Sequence, residues 1–410
     1  MSSLLYWVWL ASLDGVGVVT AQKLLSRFNT PENIYKANAR EYREAVGASA
    51  AYLSVLCNKD VSLAESIISK CKSVNCDIIP FRDTKYPTRL RNIYDPPIVL
   101  YVRGQLPCVD SFAPIAIVGT RNCTPYGSKT AEEFGYKLAA SGFVVVTGLA
   151  KGIDSAAAIG AVRAGGQIIG VIGTGTNVIY PAENKRIFEE VIRHGALVSE
   201  YPPDTTGHRA HFPARNRIIS GLSLGVIVME SPKKSGALIT AARALEQNRD
   251  VFALPGNVDA LSCKGSNLLL REGAIPVLCA EDIITEYIDL YPDSIKFDDA
   301  ALNSECKKED NSFALEFRKS RERKIVEQND IDKEPLLKYI DLETATSMLS
   351  GDEKTVAMTI GCTESVHIDT IVNRSGLSAS QVSAALTMLE IKGMAQNVGG
   401  NCFIFQSTQD

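Results

Sequence analysis

What the sequence lacks narrows the field first. Ten cysteines lie scattered at positions 57, 71, 76, 108, 123, 263, 279, 306, 362 and 402, and no CxxC occurs among them. That pattern fits reduced thiols in a cytoplasm and excludes a disulfide frame or a zinc knuckle. His208 and His211 form an HxxH, but no Glu or third ligand follows in order, so no metal is expected. No apolar run is long enough to span a membrane. The apolar start "MSSLLYWVWLASLDGVG" lacks a basic flank and runs into Asp14, so it reads as the first helix of a domain. The formal net charge is -4, so no global positive field draws in nucleic acid, and any anion site must be local. Nucleotide fingerprints are missing too. "GTGTNV" lacks the third Gly of GxGxxG, and "YGSKT" holds the Gly and Lys of a Walker A out of order. No Ser–His–Asp order and no paired-carboxylate constellation stands out.

What is present is the composition of a globular protein. The chain has 410 residues, 45% of them hydrophobic and 22% charged. At about 150 residues per domain this suggests two to four domains. Residues 1–75 read as helical: "LLYWVWLASL", "TAQKLLSRF", "PENIYKA" and "AYLSVLCNKDVSLAESIISKCKS". Between the first two helices, "LDGVGVVTAQKLL" resembles a helix-hairpin-helix, whose Gly-loop N–H groups can face a DNA phosphate. A plain tight turn in a small bundle accounts for it better, because no Lys or Arg sits in the hairpin itself.

Residues 76–287 alternate short β-branched runs with helical ones. The runs are "PIAIVG", "FVVVTG", "QIIGVIG", "ALVSE", "GVIVME", "DVFALPG" and "AIPVL". Continuous apolar strands alternating with helices predict a doubly wound, mostly parallel α/β sheet, with ligand sites at the carboxyl ends of its strands. Residues 288–335 hold 13 acidic and 9 basic residues and few apolar ones, the signature of a charged flexible linker. Residues 336–410 read as helix, turn, helix and hairpin, a winged helix. Its second helix, "SASQVSAALTMLEIKG", carries no Arg and one late Lys, so protein contact or a structural role competes with base reading.

Chemistry gathers at the strand ends of the α/β region. "VGTRNCTPYG", "TGLAKGIDSAA", "GTGTNVIYPAENKR", "SEYPPDTTGHRAHFPARNR" and "SPKKSGALITAA" each follow a predicted strand. Glycines there let a ligand approach the backbone, and helix N-termini add N–H donors. From Ile115 to Arg249 there are 15 Lys plus Arg against 10 Asp plus Glu. Arg121, Lys151, Lys185, Arg186, Arg209, Arg215, Arg217, Lys233 and Lys234 fall in or beside the loops. Cations beside Phe212, Tyr180 and Tyr201 fit single-stranded nucleic acid, with phosphates on the cations and a base on a ring. Asp154 is placed as a helix N-terminal acid.

Seven ordered blocks carry a resemblance. "VGTRNCTPYG", "TGLAKGIDSAAAIGAV", "GVIGTGTNVIYPAEN", "SEYP", "FPARNRIISGLS", "SGALITAARALEQNRDVFALPG" and "GSNLLLREGA" resemble the signature blocks of the DNA-processing protein A family (DprA, also called Smf). The likeness covers about residues 80–287, and both flanking regions resemble that family's arrangement. It implies an extended Rossmann-like fold and a non-enzymatic role without cofactor. It further implies single-stranded DNA binding, protection of strands in natural transformation, and loading of a RecA-type recombinase past single-strand-binding protein, often as a homodimer. The family's GSR-type motif falls on Gly119, Thr120 and Arg121, with Thr for Ser. Its RNR block falls on Arg215, Asn216 and Arg217, and its SG-LIT block on Ser235, Gly236 and Thr240. On this reading Arg215 and Arg217 hold phosphates. The rival class is a Rossmann-like enzyme that binds or hydrolyses a nucleotide through "GTGTN" and "SGALIT". A sequence-specific regulator acting through the winged helix would make few phosphate contacts.

Overall fold

The computed structural model describes residues 3–47, 50–296, 349, 351–360, 366–392, 394–399 and 402–405. By contact the chain divides into two units, Met1–Leu302 and Asn303–Asp410.

Six helices open the first unit: α1 (Ser3–Ser12), α2 (Val18–Phe28), α3 (Pro31–Lys36), α4 (Ala39–Val46), α5 (Ala50–Cys57) and α6 (Ser62–Ser73). Local chemistry sets their ends. Thr30 caps α3 ahead of Pro31, and Asn38 with Glu41 forms a reciprocal capping box on α4. The long C-terminal helical stretch read from sequence is two helices, because Asp60 accepts the Ser62 N–H at 2.9 Å and starts α6 afresh.

A nine-stranded sheet follows. It comprises β1 (Asp77–Pro80), β2 (Val99–Gly104), β3 (Ala113–Val118), β4 (Phe143–Thr147), β5 (Ile168–Ile172), β6 (Gly195–Ser199), β7 (Gly225–Val228), β8 (Asp250–Ala253) and β9 (Ile275–Pro276). The helices between them are α7 (Thr88–Arg91), α8 (Pro125–Ala140), α9 (Ile153–Arg163), α10 (Lys185–His194), α11 (His211–Leu222), α12 (Gly236–Glu246), α13 (Lys264–Arg271) and α14 (Ala280–Tyr287). Strand order is β1-β2-β6-β5-β4-β3-β7-β8-β9. From β6 to β9 every neighbouring pair is parallel, whereas β1 and β2 run antiparallel.

The seven apolar runs are the seven parallel strands, and their composition follows from burial on both faces. Phe143 and Val145 of β4 join one core with α8, α9, α10 and α14. Val144 and Val146 join the other with α7, α11 and α12. Each such side chain contributes about 1.5–3 kcal/mol of transfer free energy. The first core continues past residue 287, since Ile288, Tyr291 and Ile295 pack on it and Lys296 N–H reaches Ser141 O at 2.9 Å. The expected linker therefore does not begin at 288, and its residues 297–335 lie outside the described ones. The N-terminal helices close their own core over Ile98, Val99 and Tyr101, which explains β1 and β2: they are the platform on which those helices sit.

In the second unit, α15 (Asp352–Ile360), β10 (Val366–His367), α16 (Ile368–Ser375), α17 (Ala379–Ile391), β11 (Ala395–Gly399) and β12 (Cys402–Phe405) form a winged helix. Ile371, Val382, Ala385, Leu386 and Leu389 make its core, and Ser378 caps α17. Among the described residues no helix is long and apolar enough to cross a membrane.

Candidate nucleic-acid interface

The parallel strands direct their carboxyl ends to one rim of the sheet. Strand order reverses at β3, which has β4 on one side and β7 on the other, so the loops after these strands meet at a topological switch point. Five loops line this rim, and their cations separate into two populations.

Arg121, Lys151, Lys185, Arg209, Lys233 and Lys234 are exposed. Arg215 and Arg217 are only 5% and 4% exposed. Residues two apart on a helix point about 200° apart, so the two arginines of α11 enter different environments. Arg215 Nη1 donates to Val171 O at 2.5 Å, and its guanidinium fills the space in which a Cβ on Gly148 would sit. Asp154 is its electrostatic counterweight and accepts the N–H groups of Gly148 at 3.1 Å and Ala150 at 3.4 Å. Burial lowers Arg215 to about 10, where it still carries its charge near neutrality. Burial also raises the Asp154 carboxyl, against the pull of Arg215 and the backbone N–H groups. Arg217 forks onto Glu200 at 2.6 and 3.0 Å, and its Nε reaches Asp95 Oδ2 at 3.2 Å. Asn216, between them, donates to Gly236 O at 3.2 Å and joins α11 to the start of α12.

The expectation that Arg215 and Arg217 hold phosphates is therefore corrected. Both are interior: Arg217 is paired with Glu200 and Asp95, and Arg215 is tied to Val171 O with Asp154 as its electrostatic counterweight. Thr240 is corrected likewise: it is 1% exposed and returns its hydroxyl to Gly236 O at 3.3 Å. Ser235 caps α12 through the Ala237 N–H, and Gly236 is exposed with open space around it.

Other candidates do converge. The Arg121 guanidinium, from the β3 loop, lies 5.5 Å from the ring centroid of Phe212 in the first turn of α11. Tyr180, from the β5 loop, meets the same ring at 5.3 Å. Gly173 and Gly207 flank Phe212, where a Cβ would come within 3.3 and 3.5 Å of the ring. A second aromatic pair stands beside this one. Tyr201 stacks on His211 at 3.9 Å and 17°, and His208 lies 5.5 Å from His211. His211 Nδ1 is fixed by Gly173 O at 3.2 Å. The HxxH thus belongs to an aromatic row, and among the described residues no group of three metal-ligating side chains forms. Thr120 and Gly119 are half-buried beneath Arg121. Lys151 is exposed but paired with Glu183 at 2.7 Å. Lys185 starts α10 behind Asn184, which ties the β5 loop to Leu149 O at 2.9 Å.

Sequence reasoning places Glu230 near a strand end but does not find its partner. It sits at the end of β7, only 2% exposed. Its carboxylate accepts the Thr124 N–H at 2.8 Å and the Thr124 hydroxyl at 2.6 Å, at the N-terminus of α8. A Cβ on Gly127 would lie 2.5 Å from that carboxylate. Asp154 stands in the first turn of α9, with its carboxylate turned back onto the N–H groups of the loop after β4. A phosphate at a switch point would use these two helix N-termini, and both already hold a carboxylate. No local pattern announces such a partner more than a hundred residues away.

These features define a Rossmann-like protein whose strand-end loops carry exposed cations and aromatic rings along an outer rim, above a closed interior. Comparison with known proteins agrees. The family model for DNA recombination-mediator protein A matches residues 77–288, and that for the DprA winged helix domain matches residues 341–401. The chain is 42% identical over 220 residues to DNA processing protein DprA of Bacillus subtilis, covering 54% of this chain and 74% of that protein. It is 38% identical over 283 residues to protein Smf of Synechocystis, covering 68% and 71%. The X-ray structure of DNA processing protein A from Streptococcus pneumoniae superposes with a TM-score of 0.62 at 34% identity, covering 73% of this chain and 99% of that one. The chain belongs to the DNA recombination-mediator protein A family, also known as DprA or Smf.

Proposed function

We propose that the chain binds single-stranded DNA along the strand-end rim and delivers it to a RecA-type recombinase during transformation or recombination. The observation that carries this reading is the Arg121–Phe212–Tyr180 cluster, a cation on an aromatic face assembled from two loops and the first turn of α11. A phosphate drawn to Arg121 places its base beside Phe212, and the Tyr201–His211 stack offers a second platform. Arg209, Lys185, Lys233 and Lys234 extend the path. Gly236, with Ser235 at the open start of α12, supplies backbone donors. Arg215, Asn216 and Arg217 hold the loops in position from below.

The role is binding without catalysis. The buried carboxylates at the switch point are hydrogen-bonded to backbone and neighbouring side chains, which disfavours the nucleotide-enzyme reading. Recombinase delivery, exchange with single-strand-binding protein and homodimerisation through the α/β domain rest on family membership. The deciding experiment is fluorescence anisotropy with labelled oligo-dT against duplex of equal length across a salt series. Single-strand preference with a steep negative salt slope is expected. Duplex preference, or binding indifferent to salt, overturns the reading.

A further inference from the structure

The opposite end of the sheet holds a second concentration of positive charge. Arg89, on α7, and Arg249, just before β8, meet at the amino ends of β7 and β8. Arg249 Nη2 donates to Arg89 O at 3.2 Å, and Arg89 Nη2 donates to the Tyr291 hydroxyl at 2.8 Å. The Nε–H of each arginine is buried without an acceptor. The nearby carboxylates serve other groups. Asp110 accepts the N–H groups of Thr88 at 2.7 Å and Arg89 at 3.2 Å, and Asp250 accepts the Tyr287 hydroxyl at 2.6 Å. Among the described residues neither arginine has an ion-pair partner, whereas buried Arg217 has two. Burial and the charge of Arg89 both lower Arg249, with Asp250, Tyr287 and Tyr291 opposing.

Arg249 is drawn onto the Arg89 carbonyl, and each guanidinium keeps a buried Nε–H with no acceptor and has no ion-pair partner among the described residues, with the charge of Arg89 acting on Arg249. Guanidinium forks match the oxygens of a tetrahedral oxyanion in a way that a point charge does not. The Tyr291 hydroxyl accepts from Arg89, so its own proton is available to a further oxygen.

We propose that Arg89, Arg249 and Tyr291 form a second anion site that takes a phosphate group, at the end of the sheet away from the candidate interface. Its source is either free phosphate or the backbone of a strand that reaches round the domain. The proposal does not depend on the strand-end rim binding DNA.

The test uses the full chain and inorganic phosphate at about 50 mM, against chloride of equal ionic strength. To set the rim aside, the reference is Arg121→Gln. Phosphate should raise its unfolding midpoint by roughly 2 °C or more, and adding Arg249→Gln or Arg89→Gln should abolish the rise. Arg249→Lys, which keeps the charge and loses the fork, should recover only part. Circular dichroism verifies that each variant is folded, and the two Gln variants serve as alternates. No rise in the reference, or an equal rise in both double variants, overturns the site. Oligo-dT of about 10 and about 40 nucleotides separates the sources. Arg249→Gln weakening only the longer strand identifies a wrapped backbone, and unchanged affinity for both with the phosphate response lost identifies free phosphate.

Discussion

One helix supplies the most instructive contrast in the molecule. The first turn of α11 presents His211 and Phe212 to the rim, beside Arg121. Its next turn buries Arg215 and Arg217 against Asp154, Glu200 and Asp95. Residues three to six apart in sequence thus belong to different worlds. Above, Arg121, Lys185, Arg209, Lys233 and Lys234 are exposed and have no ion-pair partner among the described residues. Below, Arg217 is paired with Glu200 and Asp95, and Arg215 and Asn216 tie α11 to β5 and to the start of α12. Charge type alone does not separate the two groups. What separates them is whether the chain carries its own counter-ion at the right distance.

The largest effect should come from breaking the lower layer. Arg217→Ala leaves Glu200 and Asp95 without their cation, and urea unfolding should show a loss of about 3–5 kcal/mol. A loss below about 1 kcal/mol would erase the distinction between the layers. In the upper layer, Phe212→Ala should leave stability nearly unchanged but cost about 1–3 kcal/mol of oligo-dT affinity in anisotropy titrations. Arg121→Gln should weaken binding and reduce the log–log salt slope by about 0.7, the contribution of one phosphate, while unfolding shifts by less than about 0.5 kcal/mol. The smallest effect belongs to Lys151 and Glu183, both exposed. Lys151 holds the Glu183 carboxyl below its usual range. The stability this pair lends is present above the unfolded carboxyl value and lost as pH falls through the lower folded one. Thermal melts in acid should place Lys151→Ala within error of the parent at every pH, because exposed pairs contribute little.

The parallel sheet was legible because a strand covered on both faces must be apolar at every position, and seven such runs stood between amphipathic helices. β1 and β2 escaped notice because their role depends on the helices packed over Val99 and Tyr101, a tertiary fact. The winged helix was read from the spacing of Ile371, Val382, Leu386 and Leu389 together with the Gly-Gly turn. At the site, Arg121 and Phe212 were named from composition and position, but their contact was not. The burial of Arg215 and Arg217 could not be read locally, since it depends on Asp154, Glu200 and Asp95, which other elements contribute. The place of the HxxH in an aromatic row was not legible, because Tyr201, on which His211 stacks, arrives from the preceding loop.

The carboxylate of Glu230 carries a consequence of a different kind. A cell is full of free nucleotides, each with a phosphate suited to a helix N-terminus. At α8 any such solute meets a rival tethered by the chain itself, whose effective concentration never falls by dilution or by changes in the metabolite pool. That position is saturated before a solute arrives, so the start of α8 does not answer to the energy state of the cell.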